Sequence, residues 1–132
     1  MENKVKHMLL IDDSNETNTF NKRIIERTGL TKKVSVARNG VEALSYFDSK
    51  KNSKDRPEIV FLDLNMPIMD GWEFLDHYNQ LGDKNSIVIL MLSSDLLPGD
   101  HKKLKDYTFI KRGSEKVLNR LFLHDLVDNF FS

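Results

Sequence analysis

The chain reads as an α/β domain in which five strand-helix units wind on both faces of a mostly parallel sheet. Three observations predict this. Short apolar runs alternate with longer segments of helical period, the pattern of strands joined by crossover helices. The run Ile87 to Leu92 is apolar at every position, which suits a central strand covered on both faces. At 132 residues the chain has the size of one domain with a single core.

The first strand is predicted over Lys6 to Ile11. A helix follows from Asn15 to Thr28, with Ser14 as N-cap, Gly29 as its stop, and Phe20, Ile24 and Ile25 as its buried stripe. A second strand, Val34 to Ala37, meets the turn signal Asn39-Gly40 and then a helix whose apolar face is Val41, Leu44 and Phe47. The polar stretch Lys50 to Arg56 closes that unit. Pro57 opens the third strand, Glu58 to Leu62, and a loop with Pro67 and Gly71 leads to a helix carrying Trp72, Phe74, Leu75 and Tyr78, ended by Gly82. After the fourth strand, Asp95 to Lys105 contains Pro98, Gly99 and few apolar residues, so only a short helix fits there. A fifth strand is placed near Tyr107 to Ile110. A last amphipathic helix, Ser114 to Phe130, brings in Val117, Leu118, Leu121, Phe122, Leu126 and Val127.

Composition excludes several classes. Lys+Arg and Asp+Glu each number 20, so no net charge draws the molecule to nucleic acid or an anionic membrane. Cysteine is absent, which removes disulfides, thiolate metal sites and cysteine nucleophiles. The amino terminus MENKVKHMLLIDD is neither a secretory signal nor a membrane span, and the cytoplasm is the expected location. His7, His77, His101 and His124 lack metal-ligand spacing. Trp72, Phe74 and Tyr78 read as helix packing, since no basic stripe accompanies them to make a base-stacking platform.

The chemistry collects where the apolar runs end. Asp12-Asp13 follow the first, Asp63 the third, Ser93-Ser94 the fourth and Lys111 the fifth. In an open parallel sheet these carboxyl ends face one crevice, where ligands bind. Any single polar residue there is ordinary for a strand leading into a loop; the weight lies in acid pair, acid, hydroxyl and ammonium at the ends of successive strands. Three carboxylates together repel unless a cation offsets them, and an all-oxygen donor set favours Mg2+. Such a pocket suits phosphoryl chemistry, with Asp63 as carboxylate nucleophile and Lys111 and Ser93 on the charged oxygens.

Four stretches carry a resemblance: DLNMPIMDG from Asp63, LLIDDS at 9–14, VARNGVEAL at 36–44 and VILMLSSD at 88–95. With them the chain resembles the receiver domain of bacterial two-component response regulators along nearly its whole length. The resemblance implies a flavodoxin-like fold with strand order 2-1-3-4-5 and a shortened fourth helix. It implies that Asp63 is the phosphoacceptor, that Asp13 ligates Mg2+ directly, that Asp12 assists through water and that Asn65 gives its backbone carbonyl. Ser93 matches the switch hydroxyl and Lys111 the lysine that pairs with the phosphoryl group. The donor would be a phosphohistidine on a sensor histidine kinase or a histidine phosphotransfer protein. Output from this stand-alone receiver would pass through protein contact, a homodimer included, with no enzymatic activity beyond its own phosphorylation and dephosphorylation. Asn65 and Asp95 occupy the positions that tune phosphoryl loss, and their polarity suits prompt hydrolysis.

The sequence departs from the family at three points. Lys111 is followed by Arg112 where a proline is usual, so either a non-proline cis bond costing about 2.5–4 kcal/mol is tolerated or the loop turns in trans. The segment from Ser93 to Lys111 is shorter than in relatives and lacks their Gly-Ala before the fifth strand. The place of the switch aromatic falls on Thr108, between Tyr107 and Phe109. Two rival functions stay open. A phosphatase of the haloacid dehalogenase type would place an Asp-x-Asp pair after the first strand, where this chain has adjacent Asp12-Asp13. A binding module could keep the fold and be switched by protein contact without phosphorylation.

Overall fold

Five parallel strands run in the order β2-β1-β3-β4-β5 in a computed structural model of the chain. It describes residues 4–47, 56–64, 69–80, 86–92, 102, 103, 105, 107, 110–115 and 118–131, with only the main chain at 92 and 111–115. The strands are β1 (Met8–Ile11), β2 (Val34–Ala37), β3 (Ile59–Asp63), β4 (Ile87–Leu92) and β5 (Ile110–Glu115). The helices are α1 (Asn15–Thr28), α2 (Gly40–Ser45), α3 (Gly71–Asn79) and α4 (Arg120–Phe131). No helix among the described residues is long and apolar enough to cross a membrane.

Successive residues of a strand point to opposite faces, so each buried strand feeds two cores. Leu9, Ile11, Val60, Leu62, Val88 and Leu90 pack with Phe47, Phe74, Leu75 and Tyr78 on the side of α2 and α3. Met8, Leu10, Ile59, Phe61, Ile89 and Met91 pack with Ile25, Leu123, Leu126 and Val127 on the side of α1 and α4. Each such side chain contributes about 1.5–3 kcal/mol through the apolar area it removes from water. That two-sided demand explains why the central strands are continuous apolar runs.

The bounds of α1, β2 and β4 are those the sequence predicts. Ser14 caps α1 by accepting from the Thr17 N–H, and Gly29 ends it in the left-handed region at φ 68, its own N–H on the Glu26 carbonyl. Asp70 and Glu73 close a capping box at the start of α3. The predicted stop at Gly82 lies outside the described residues.

Other expectations are corrected. The inner stripe of α1 is Asn18, Asn21, Ile25 and Thr28, while Phe20 is 50% exposed. Phe20 sits about 200° around the helix from Asn18, so the two cannot both face the sheet. In α2, Ala43 is buried and Val41 is 54% exposed, for the same reason of helical phase. In α4, Leu123 takes the inner position and Leu121 is 85% exposed.

The fifth strand is displaced most. Tyr107 does not open it; this ring packs on the α2–α3 side of the core, with its hydroxyl on the Asp76 carboxylate. The Ile110 N–H then closes a turn onto the Tyr107 carbonyl at 3.2 Å, and the chain joins β4 only from Ile110 onward. As an edge strand β5 pairs on one side and tolerates the polar sequence IKRGSE. Residues 114 and 115, expected in the last helix, therefore belong to this strand. The last helix starts at Arg120, where the Asn119 side chain accepts the Phe122 N–H at 2.8 Å. No peptide bond among the described residues is cis, so Lys111-Arg112 is trans. The short helix expected within 95–105 lies mostly outside the described residues.

Candidate functional site

The register brings the first and third strand ends level. Ile11 pairs with Leu62, so the next residues, Asp12 and Asp63, come side by side at the carboxyl ends of β1 and β3. One carboxylate oxygen from each of Asp12, Asp13 and Asp63 lies within 4.8 Å of the other two. Asp12 is 5% and Asp63 2% exposed, while Asp13 is exposed.

Local bonding sets each carboxylate. The Asp12 N–H continues the ladder onto the Ala37 carbonyl at 3.1 Å, and the Asp12 carboxylate accepts the Ser14 N–H at 2.9 Å. That Asx-type turn redirects the chain from β1 into α1. Asp63 is the last residue of β3, paired with Met91 of β4. Behind it the chain returns on itself, with the Gly71 N–H on the Leu64 carbonyl at 3.0 Å. A methyl group at Gly71 would stand 2.5 Å from Leu64 Cα and 2.7 Å from the Asp63 carbonyl oxygen, so only glycine permits this closure. The Gly40 N–H bonds the Met69 carbonyl at 3.0 Å and ties the β2–α2 turn to the same loop.

The structure thus unites Asp12, Asp13 and Asp63. Asn65, Ser93, Ser94, Asp95 and Thr108 lie outside the described residues. Lys111 was expected at the carboxyl end of the fifth strand and instead lies near its beginning. The β4–β5 register passes from Val88↔Ile110 to Ile89↔Arg112, which makes Lys111 the extra residue of a bulge. The row of Asp63 and Met91 continues to Ser114. Sequence reasoning also missed Asn18, whose amide donates to the Asp12 carbonyl at 2.7 Å from a buried position on α1. Its spacing of three from Asn21, on a helix with caps at both ends, was the available signal.

The donor set is hard oxygen throughout. Opposite ligands on one octahedral Mg2+ stand about 4.2 Å apart, so three carboxylates with this spacing fit such an ion directly or with a water interposed. The positive ion would also offset their mutual repulsion.

Residues 8–106 match the response regulator receiver domain. The chain belongs to that family. Among solved structures, this receiver superposes on a two-component response regulator from Cytophaga hutchinsonii with a TM-score of 0.82 and 29% identity, covering 95% of this chain and 96% of that one. It is 26% identical over 94 residues to a response regulator of Synechocystis sp., covering 70% of this chain and 64% of that protein. It is also 33% identical over 95 residues to a protein-glutamate methylesterase/protein-glutamine glutaminase of Caldanaerobacter subterraneus. That match covers 72% of the receiver and 24% of the relative, so the chain spans about a quarter of that protein's length.

Proposed function

We propose that this receiver accepts a phosphoryl group onto Asp63 from a phosphohistidine on a sensor histidine kinase or histidine phosphotransfer protein, and signals through contact with a protein partner. One observation carries the reading: a nearly buried carboxylate ends a central strand with two more carboxylates within 4.8 Å. In the transfer, an Asp63 carboxylate oxygen bonds to phosphorus while the bond from phosphorus to the imidazole nitrogen breaks. The electron pair stays on that nitrogen, which takes up a proton, and Asp63 becomes an acyl phosphate.

Asp12, Asp13, Asp63 and the Asn65 carbonyl would hold Mg2+, which when bound neutralises charge on the transferred oxygens. Ser93 and Lys111 are assigned to the remaining phosphoryl oxygens. The β1–α1 turn, held by the Asp12-to-Ser14 bond, keeps Asp12 and Asp13 facing Asp63. A second reading, a binding module switched without phosphorylation, gains from the register that carries Lys111 away from the Asp63 row.

Intact-mass spectrometry after incubation with phosphoramidate separates the two. One hydroxylamine-labile phosphoryl group is expected, only with Mg2+ and not on Asp63→Asn. No added mass under conditions that modify a control receiver would favour the binding module.

A further inference from the structure

Asn18 is a buried polar residue that the phosphoryl chemistry above leaves unused. It is 3% exposed on the inner face of α1, and its amide nitrogen donates to the Asp12 carbonyl at 2.7 Å. Its amide oxygen is buried without a hydrogen-bond partner among the described residues. Asn21, one turn along the same face, is arranged differently: its side-chain oxygen accepts the Leu118 N–H at 2.9 Å. A buried amide oxygen without a donor is unfavourable and uncommon in folded proteins, so the position calls for a donor that arrives from elsewhere.

Asn18 is bonded to the acidic cluster through the main chain. Its nitrogen grips the peptide of Asp12, the residue whose carboxylate belongs to the acidic cluster. Mg2+ gives up its waters reluctantly and keeps several when bound by one or two carboxylates. Each retained water presents two polarised O–H donors, and buried waters are stable when about three polar groups receive them. A fourth carboxylate beside Asp12, Asp13 and Asp63 would add to their repulsion, whereas a neutral amide oxygen accepts from water without adding charge.

We infer that Asn18 is a positioning residue of the cation site: its nitrogen holds the Asp12 main chain, and its oxygen receives a water of the hydrated Mg2+. This rests on the receiver reading above and deepens it. Groups outside the direct ligands of a metal commonly carry a 10–100-fold share of its affinity.

The test is titration calorimetry with MgCl2 on the whole chain, comparing the unsubstituted protein with Asn18→Leu and Asn18→Asp, beside urea unfolding without Mg2+. The leucine variant removes donor and acceptor at similar volume, and its Mg2+ Kd is expected to rise about 10-fold or more. The aspartate variant keeps an acceptor oxygen but loses the N–H on the Asp12 carbonyl, and is expected to bind Mg2+ more tightly than the leucine variant, with a lower urea midpoint than the unsubstituted protein in Mg2+-free buffer. Equal Kd values for the leucine variant and the unsubstituted protein would overturn the inference and leave Asn18 a packing residue, visible only in the urea midpoint. If the leucine variant does not unfold cooperatively, Asn18→Ala takes its place in the same comparison, and a Kd equal to that of the unsubstituted protein overturns the inference. Failure of the unsubstituted protein to bind Mg2+ would remove the functional reading and this inference together, an outcome distinct from failure of the variants alone.

Discussion

Gly71→Ala and Gly40→Ala form a matched pair that tests how the loop behind Asp63 is held. Both glycines are the first residue of a helix, α3 and α2, each following a side-chain N-cap, Asp70 and Asn39. Any gain in helix propensity from alanine is therefore common to both and cancels in the comparison. What differs is the neighbour. At Gly71 the new methyl group would stand 2.5 Å from Leu64 Cα and 2.7 Å from the Asp63 carbonyl oxygen, both main-chain atoms. At Gly40 it would meet Met69 Cγ at 2.5 Å and Sδ at 2.6 Å, the flexible end of a side chain that can swing aside.

Relief at Gly71 requires the backbone where Asp63 joins Leu64 to move, and overpacking of this kind costs about 1–3 kcal/mol. We expect about 2–3 kcal/mol for Gly71→Ala and under about 1 kcal/mol for Gly40→Ala. For a chain of this length the larger loss lowers Tm by roughly 6–12 °C. Urea unfolding is the assay, because a shifted midpoint at constant slope reports stability alone. The slow phosphorylation expected of Gly71→Ala should accompany it, since the same movement displaces Asp63. Equal midpoints for the two variants would refute the reasoning.

Other outcomes follow from the same geometry. Mg2+ at 100 times its Kd should stabilise the unsubstituted protein by about 2.7 kcal/mol, read as a rise in Tm over a chelated sample. Asp13→Asn should lose most of that rise while gaining stability in chelator, because one of three like charges is gone; a full Mg2+ shift in this variant would count against the three-carboxylate site. Asn21→Leu leaves the buried Leu118 N–H without the Asn21 acceptor and should cost about 1–3 kcal/mol in urea unfolding. A midpoint unchanged by Asn21→Leu would mean that the junction before α4 does not depend on this bond.

The acidic cluster was legible because it sits where strong local signals end. β4 is apolar throughout, α1 has a serine before it and a glycine after it, and the acidic residues stand where β1 and β3 stop. Once the strands are parallel and level, Asp12, Asp13 and Asp63 must meet. The inner face of α1 was not legible from hydrophobicity, since Asn18 and Asn21 displace Phe20 from it by bonding main-chain groups that an apolar stripe would leave unsatisfied. The fifth strand failed for a different reason. IKRGSE neither alternates nor runs apolar, because an edge strand is specified by its neighbour's backbone more than by its own side chains. The aromatic Tyr107 just before it offered a better-looking strand, yet its ring is committed to the core beside α3.

The central claim is that Asp63 itself carries the phosphoryl group. Borohydride reduces an acyl phosphate to the alcohol, so the protein would be treated with phosphoramidate and Mg2+, reduced, digested and read by peptide mass spectrometry. The account expects homoserine at position 63 and aspartate still at 12 and 13. Reduction at Asp12 or Asp13 with Asp63 intact, or no reduction at any carboxylate in a protein that binds Mg2+, would contradict it.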